Sequence, residues 1–331
     1  MRIVALLAED SKHPMPGMAD AVERTGGAVL RWPELAASPS LGWPGMELAA
    51  LRFVQQHAAG DCLVLFHVRL GRIFRPDWMR ELVGLAHDRG AWVVSWCDDP
   101  APTEASFRCV ARLLSYVDFA LFTDRDHARL LQERACVRSG YLPSGYGPDT
   151  FYADQDATED LYACFVGTNY HLLDGGDRER TVQAVRRTGV DLRVFGEHWR
   201  TRGVPAEDGW VPPDRFRDLC HRSRVTVGMG LRDDLPWYTS DRMMRAMGSG
   251  AVYAPRWFPG IEGLGVVHGE NALVWHDKEE LAAFLLEWTG DGKTPDRRRI
   301  REAAAGHALG SWTWDTWMGR LVDLAGQHGG G

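Results

Sequence analysis

Lysine is nearly missing from this chain: it occurs only as Lys12, Lys278 and Lys293, so almost all positive charge is arginine. A GC-rich gene would produce that bias, and guanidinium is also the better fork for carboxylates and phosphates. No run of about 18 apolar residues exists, which argues against a membrane-spanning helix. The opening stretch, Met1 to Asp10, turns acidic too soon for a signal peptide and points to a cytoplasmic protein. The six cysteines (Cys62, Cys97, Cys109, Cys136, Cys164 and Cys220) form no C-x-x-C pair and no Cys/His group at zinc spacing. Reduced structural thiols and no structural metal are therefore expected. A net charge of −7 disfavours a general nucleic-acid coat, whose affinity comes from neutralising phosphates, but leaves room for a local basic patch.

The chain has 331 residues, 45% hydrophobic and 25% charged, enough for two domains with their own cores. Its first half alternates apolar strands (2–8, 28–32, 62–66, 91–96, 118–122) with helical stretches stopped at Gly26, Gly60 and Gly90. Strands apolar throughout, separated by helices, indicate a parallel sheet covered on both faces. Leu142 to Asp149 is rich in Pro and Gly and 153–160 is polar, as linkers are. The theme then restarts with strands at 161–166, 191–195, 224–230 and 251–255. The expected layout is an α/β chain of two Rossmann-like, doubly wound parallel-sheet domains, 1–152 and 153–310. A final helix, 311–327, carries Trp312, Trp314 and Trp317 back to the first domain.

The stretch from Pro236 to Val252 reads as loop, helix, glycine break and strand. Ser240 or Asp241 suits the N-cap, and the free amides of the first turn with Arg242 suit a phosphate. Flanked by two strands, that helix start faces the carboxyl ends where parallel sheets bind ligands.

An ordered set of segments carries a resemblance: Val93 to Pro100 with Cys97-Asp98-Asp99-Pro100, Leu142 to Gly145, Phe165 to Thr168, Val194 to Gly196, Thr239 to Arg242, and Ala246 to Gly250. From about residue 90 onward the chain resembles the CgeB-like (spore-protein and phage-type) glycosyltransferases, relatives of the group 1 enzymes with the two-domain GT-B fold. The resemblance implies a nucleotide-diphosphate sugar, UDP favoured, on the second domain. It implies an acceptor hydroxyl in the interdomain cleft, on a small molecule or a polymer, DNA with hydroxymethylated bases included. No obligatory metal or other cofactor is implied. The departing diphosphate then needs amides and arginines: Thr239, Ser240, Asp241 and Arg242 at the helix start, Gly167 and Thr168 where the backbone comes close, and Arg178 or Arg180. By position in the fold, Trp210 and Val211 would edge the nucleobase, while Gly196 and Glu197 line the crevice. The group 1 glutamate pair is replaced here by Trp237 and Arg245; Asp241 is the residue that could take over the ribose hydroxyls.

For the chemistry, Asp98 and Asp99 end an apolar strand and suit a base or a support for the sugar; the same Asp-Asp-Pro also suits a plain turn. His13 is the rival base. Arg69, Arg72 and Arg75 cluster with Phe74 in a loop where an anionic acceptor would dock, or where they only solubilise. Asp124-Arg125-Asp126 imitates a metal motif but is read as a helix cap, His268 and His276 as surface residues, and Arg297 to Arg299 with Arg301 as a solvated face. Two other functions share this layout, a nucleotide-sugar 2-epimerase and a non-catalytic ligand sensor; oligomeric state is open.

Overall fold

In the first strand, β1 (Arg2–Leu7), Ile3, Ala5 and Leu7 pack on one face and Val4 and Leu6 on the other, the two-residue alternation of a pleat buried on both sides. The computed structural model describes residues 1–8, 15–31, 42–69, 76–99, 101, 103–170, 175–207 and 209–328. His13, Arg72 and Arg75 lie outside them. Two compact units result: Met1–Ser144 with Trp314–Gly331, and Gly145–Thr313.

In unit 1, β1 is followed by α1 (Met18–Arg24), β2 (Ala28–Arg31), α2 (Gly42–His57) and β3 (Cys62–His67). Then come α3 (Pro76–Asp88), β4 (Trp92–Cys97), α4 (Glu104–Leu114), β5 (Phe119–Phe122), α5 (Arg125–Ala135) and β6 (Ser139–Tyr141). All pairings are parallel, in the order β2-β1-β3-β4-β5-β6. The order reverses between β1 and β3, so a ligand crevice is expected at the carboxyl ends there. Asp124 caps α5, accepting from the His127 amide at 2.8 Å; the Asp-Arg-Asp sequence is a helix cap.

Unit 2 runs β7 (Leu161–Val166), α6 (Asp177–Arg187), β8 (Leu192–Phe195), α7 (Pro213–Arg222), β9 (Ser223–Gly228), α8 (Asp241–Gly248), β10 (Tyr253–Pro255), α9 (Lys278–Trp288) and α10 (Thr294–Ser311). Its sheet, again parallel, has the order β10-β9-β7-β8, which places the reversal between β7 and β9. Phe165, Val225, Val227 and Trp275 centre its core. The expected solvated face on α10 fails at two of four arginines. Arg297 is 1% exposed; it pairs with Glu159 at 2.9 Å and donates to the Trp288 and Gly290 carbonyls. Arg301 shares Glu159 and donates to the His221 and Ser223 carbonyls. Arg298 and Arg299 are exposed.

The last helix, α11 (Trp314–His328), belongs to unit 1. Trp314, Trp317, Met318 and Leu321 pack with α1 and the β1 face carrying Ile3 and Ala5. Trp96 meets Trp314 and Trp317 edge-on at 5.7 and 5.3 Å, the preferred aromatic geometry. The Trp314 indole donates to the Pro16 carbonyl, and Arg24 grips Asp315 with two 2.8 Å bonds. Among the described residues no helix is long and apolar enough to cross a membrane.

Candidate active site

At the carboxyl ends of β7 and β8, beside the reversal point of unit 2, glycines let the backbones touch. Gly196, at φ 136°, comes so near Gly167 that a Cβ would sit 2.3 Å from the Gly167 carbonyl oxygen; only glycine fits both demands. That same oxygen accepts the Trp199 indole N–H at 2.7 Å. The Glu207 carbonyl accepts from Gly196, and the Gly209 amide donates back to the Gly196 carbonyl, so Trp210 and Val211 directly follow this backbone contact. Trp210 is 38% exposed. The Glu197 carbonyl receives the Asn169 amide at 3.0 Å.

The two arginines expected to meet phosphate are committed to the backbone. Arg242 donates from Nε to Ser240 Oγ, from Nη1 to the Val166 carbonyl at 2.9 Å and from Nη2 to the Met229 carbonyl at 3.1 Å. Arg178, 2% exposed, donates to the Thr168 carbonyl at 2.7 Å and the Met229 carbonyl at 3.2 Å. Together they tie the carboxyl ends of β7 and β9 to the starts of α6 and α8. They set positive charge under the crevice rather than reaching out of it. Ser240 is the N-cap of α8, its hydroxyl accepting from the Arg242 amide, and Thr239 is buried against Met244. Asp241 pairs with Arg245 one turn on, at 2.7 Å. The positive charge at Arg245, where the group 1 pattern has a glutamate, is thus balanced within α8.

Two further residues, both missed in the sequence, complete this end of the sheet. Arg256, just past β10, holds Asp177 through Nη1. Among the described residues it makes no other side-chain hydrogen bond, and it is 30% exposed. Asp233, in the loop after β9, accepts the Gly230 amide at 2.8 Å. Burial pushes its carboxyl up to about 6, against the pull of Arg256, the Gly230 amide, Arg178 and Arg242. The spacing Gly-x-x-Asp was the available signal for Asp233, as a side chain folding back on an amide three residues earlier; Arg256 offered none. Trp237 in the same loop has φ 64°, a costly conformation for a bulky residue. It is held by a bond to the Pro259 carbonyl and by Gly260 and Gly263, whose missing side chains make room for the indole.

In unit 1 the carboxyl ends of β3 and β4 carry a second cluster. Arg69 bridges Asp98 at 2.8 Å and Asp99 at 3.1 Å, so three expected site residues do meet. His67, 1% exposed and unremarked in the sequence, brings Nε2 to 3.1 Å from the other Asp98 oxygen. The Asp98 carbonyl accepts from Thr123. Burial alone would raise the Asp98 carboxyl, but His67 and Arg69 outweigh it and hold it well below the usual carboxylate range. A carboxylate so held is ionised at neutral pH and a poor proton acceptor, so this geometry favours Asp98 as a fixed charge over Asp98 as a base. No group of three or more His, Cys, Asp or Glu suited to a metal occurs among the described residues.

Comparison with known proteins decides the fold. The chain is similar over 99% of its length to sucrose-phosphate synthase from Thermosynechococcus elongatus, with a TM-score of 0.65, 11% identity and 99% of that chain covered. It is equally similar to Anabaena HepE in complex with UDP-glucose: TM-score 0.66, 10% identity, 99% and 100% covered. This is a GT-B fold. A glycosyltransferase from Rickettsia africae shares it, at TM-score 0.62 and 10% identity over 99% and 98% of the two chains. Within the GT-B chain, residues 178–323 match the family model described as glycosyl transferase-like. That match begins at the arginine clamp and takes in Asp233, α8 and Arg256. Comparison with curated proteins returns no match.

Proposed function

We propose that this protein is a glycosyltransferase of the CgeB-like kind, moving a sugar from a nucleotide-diphosphate sugar, UDP-sugar first among candidates, to an acceptor hydroxyl. The observation that carries the reading is the glycosyl transferase-like match at 178–323 falling on the arginine-lined reversal point of unit 2. A similar structure holds UDP-glucose in the same fold. The leaving diphosphate would be stabilised by Arg256, by the amides of Thr168 and the α8 start, and by the field of Arg178 and Arg242, with Gly167 letting it approach the backbone. Fixed donors aimed at developing charge are the largest common source of rate enhancement. Trp210 and Val211 would edge the base, with Gly196 and Glu197 beside them. In unit 1, Asp98, Asp99 and Arg69 would hold the acceptor. No divalent metal would be needed, and the cytoplasm would supply the donor.

A thermal-shift screen of UDP, GDP, dTDP, CDP and their glucose conjugates tests this directly. A ligand at about a hundred times its dissociation constant adds about 2.7 kcal/mol of stability. Uridine compounds should give the largest shift, unchanged by EDTA. Turnover should appear only when an acceptor is added, with small glycosides, glycans and hydroxymethylated DNA as the acceptor arms. Conversion of the donor without acceptor would identify an epimerase instead, and the absence of a shift with every nucleotide would overturn the reading.

A further inference from the structure

Asp233 stands where an anionic ligand would be expected to lie. Arg178 from α6 and Arg242 from α8 both donate to the Met229 carbonyl, one residue before the Gly230 amide that Asp233 accepts, and the Arg256 amide after β10 donates to the Gly228 carbonyl beside them; all three charges act on the Asp233 carboxyl. Tyr253 faces it from β10 with a phenol that burial pushes up and keeps neutral. Asp177 offsets part of the Arg256 charge, while Arg232 and Asp234 in the same loop pair with each other at 2.8 Å. The carboxylate closes onto the Gly230 amide because residue 230 has no side chain; a Cβ there would lie 2.2 Å from Asp233 Oδ1.

We propose that Asp233 is the resident counter-ion of an anion cradle made by Arg256 over Arg178 and Arg242, and that a ligand diphosphate takes its place electrostatically while Asp233 takes up one proton from solvent. The assignment of that anion as a donor diphosphate rests on the glycosyltransferase reading. The chemistry follows from the arrangement. The loop amide bond keeps the Asp233 carboxyl beside the arginines, so an arriving phosphate meets a like charge a few bonds away. Protonation removes that repulsion, and a group already poised near neutrality by burial needs little further push. The protonated carboxyl then has a hydroxyl that can donate to the phosphate oxygen. Arg178 and Arg242, held by carbonyls, supply charge, whereas Arg256 has nitrogens left to bond.

The test measures affinity against pH with two probes that do not titrate between pH 6 and 8: sulfate, at matched ionic strength, and UDP-glucose. Wild-type affinity for either should fall about tenfold per pH unit above the Asp233 value, the slope of one linked proton. Asp233→Asn, which keeps an oxygen for the Gly230 amide, should bind independently of pH, and Arg256→Gln should bind weakly throughout. Titration calorimetry of the wild-type protein in two buffers of different ionisation enthalpy counts the proton without any variant. A pH-linked sulfate site with no binding of UDP-glucose would uphold the cradle and sink its donor assignment. UDP-glucose binding with equal slopes in wild type and Asp233→Asn, or with no proton taken up, would overturn the proposal and leave the donor reading standing. Binding of neither probe would overturn it too.

Discussion

The Met229 carbonyl oxygen accepts from two guanidinium groups, Arg178 and Arg242, and that shared acceptor explains why arginine rather than lysine sits at both places. A planar fork can serve several carbonyls at once, while an ammonium is one compact point of charge. Arg242→Lys should therefore cost about 2 kcal/mol through the Val166 carbonyl left without its guanidinium donor, read as a lower denaturation midpoint, and should weaken UDP affinity as the strand ends loosen. A variant as stable as wild type would refute the clamp. Asp98 differs in sign. Its folded-state proton affinity is depressed, so it contributes stability above its unfolded value of about 3.9 and loses it as pH falls toward the folded one. Asp98→Asn should shrink the stability gained between pH 3 and pH 5, leave donor binding unchanged and lower turnover. An undiminished rate would remove Asp98 from the acceptor site.

The strand-helix alternation was legible because a strand buried on both faces is apolar at every position, and glycine stops separate it from its neighbours. The edge strand β6 was missed, since Ser139-Gly140-Tyr141 is too short and too polar to show a period; it forms only because β5 offers an open edge. Residues near the candidate site were legible where backbone chemistry demands a type, as at Gly167, Gly196 and Ser240. They were obscure where function depends on which donors remain unbonded. Arg178, Arg242 and Arg256 look alike as letters, and Arg297 looked solvated because its partner Glu159 is remote in sequence. Gly196→Ala follows from this: φ 136° and a Cβ 2.3 Å from a backbone oxygen admit no side chain. It should cost at least about 2 kcal/mol and abolish UDP protection, whereas Gly189→Ala, left-handed but with nothing near the added carbon, should carry the conformational cost alone. Equal melting shifts in the two variants would show that the close approach at Gly167 is unimportant.

At the scale of the whole chain, the two units keep separate cores although the sequence of unit 1 is interrupted by all of unit 2. The closing element is α11, whose tryptophans complete the β1 face of unit 1, while the proposed donor residues lie within Gly145–Thr313. Stability and donor binding should therefore come apart under mutation. Trp314 and Trp317 are 3% and 2% exposed, and truncating a buried tryptophan to alanine costs about 3–5 kcal/mol; because they touch each other, the double variant should cost less than the sum. That loss approaches the whole stability of a typical domain. Trp314→Ala with Trp317→Ala should thus give a calorimetric trace with an early transition for unit 1 and a later one for unit 2. UDP should raise the temperature of the later transition alone, and transfer to acceptor should be lost. A single transition moved by UDP as a whole would mean that the units unfold together and that α11 supports the donor site as well.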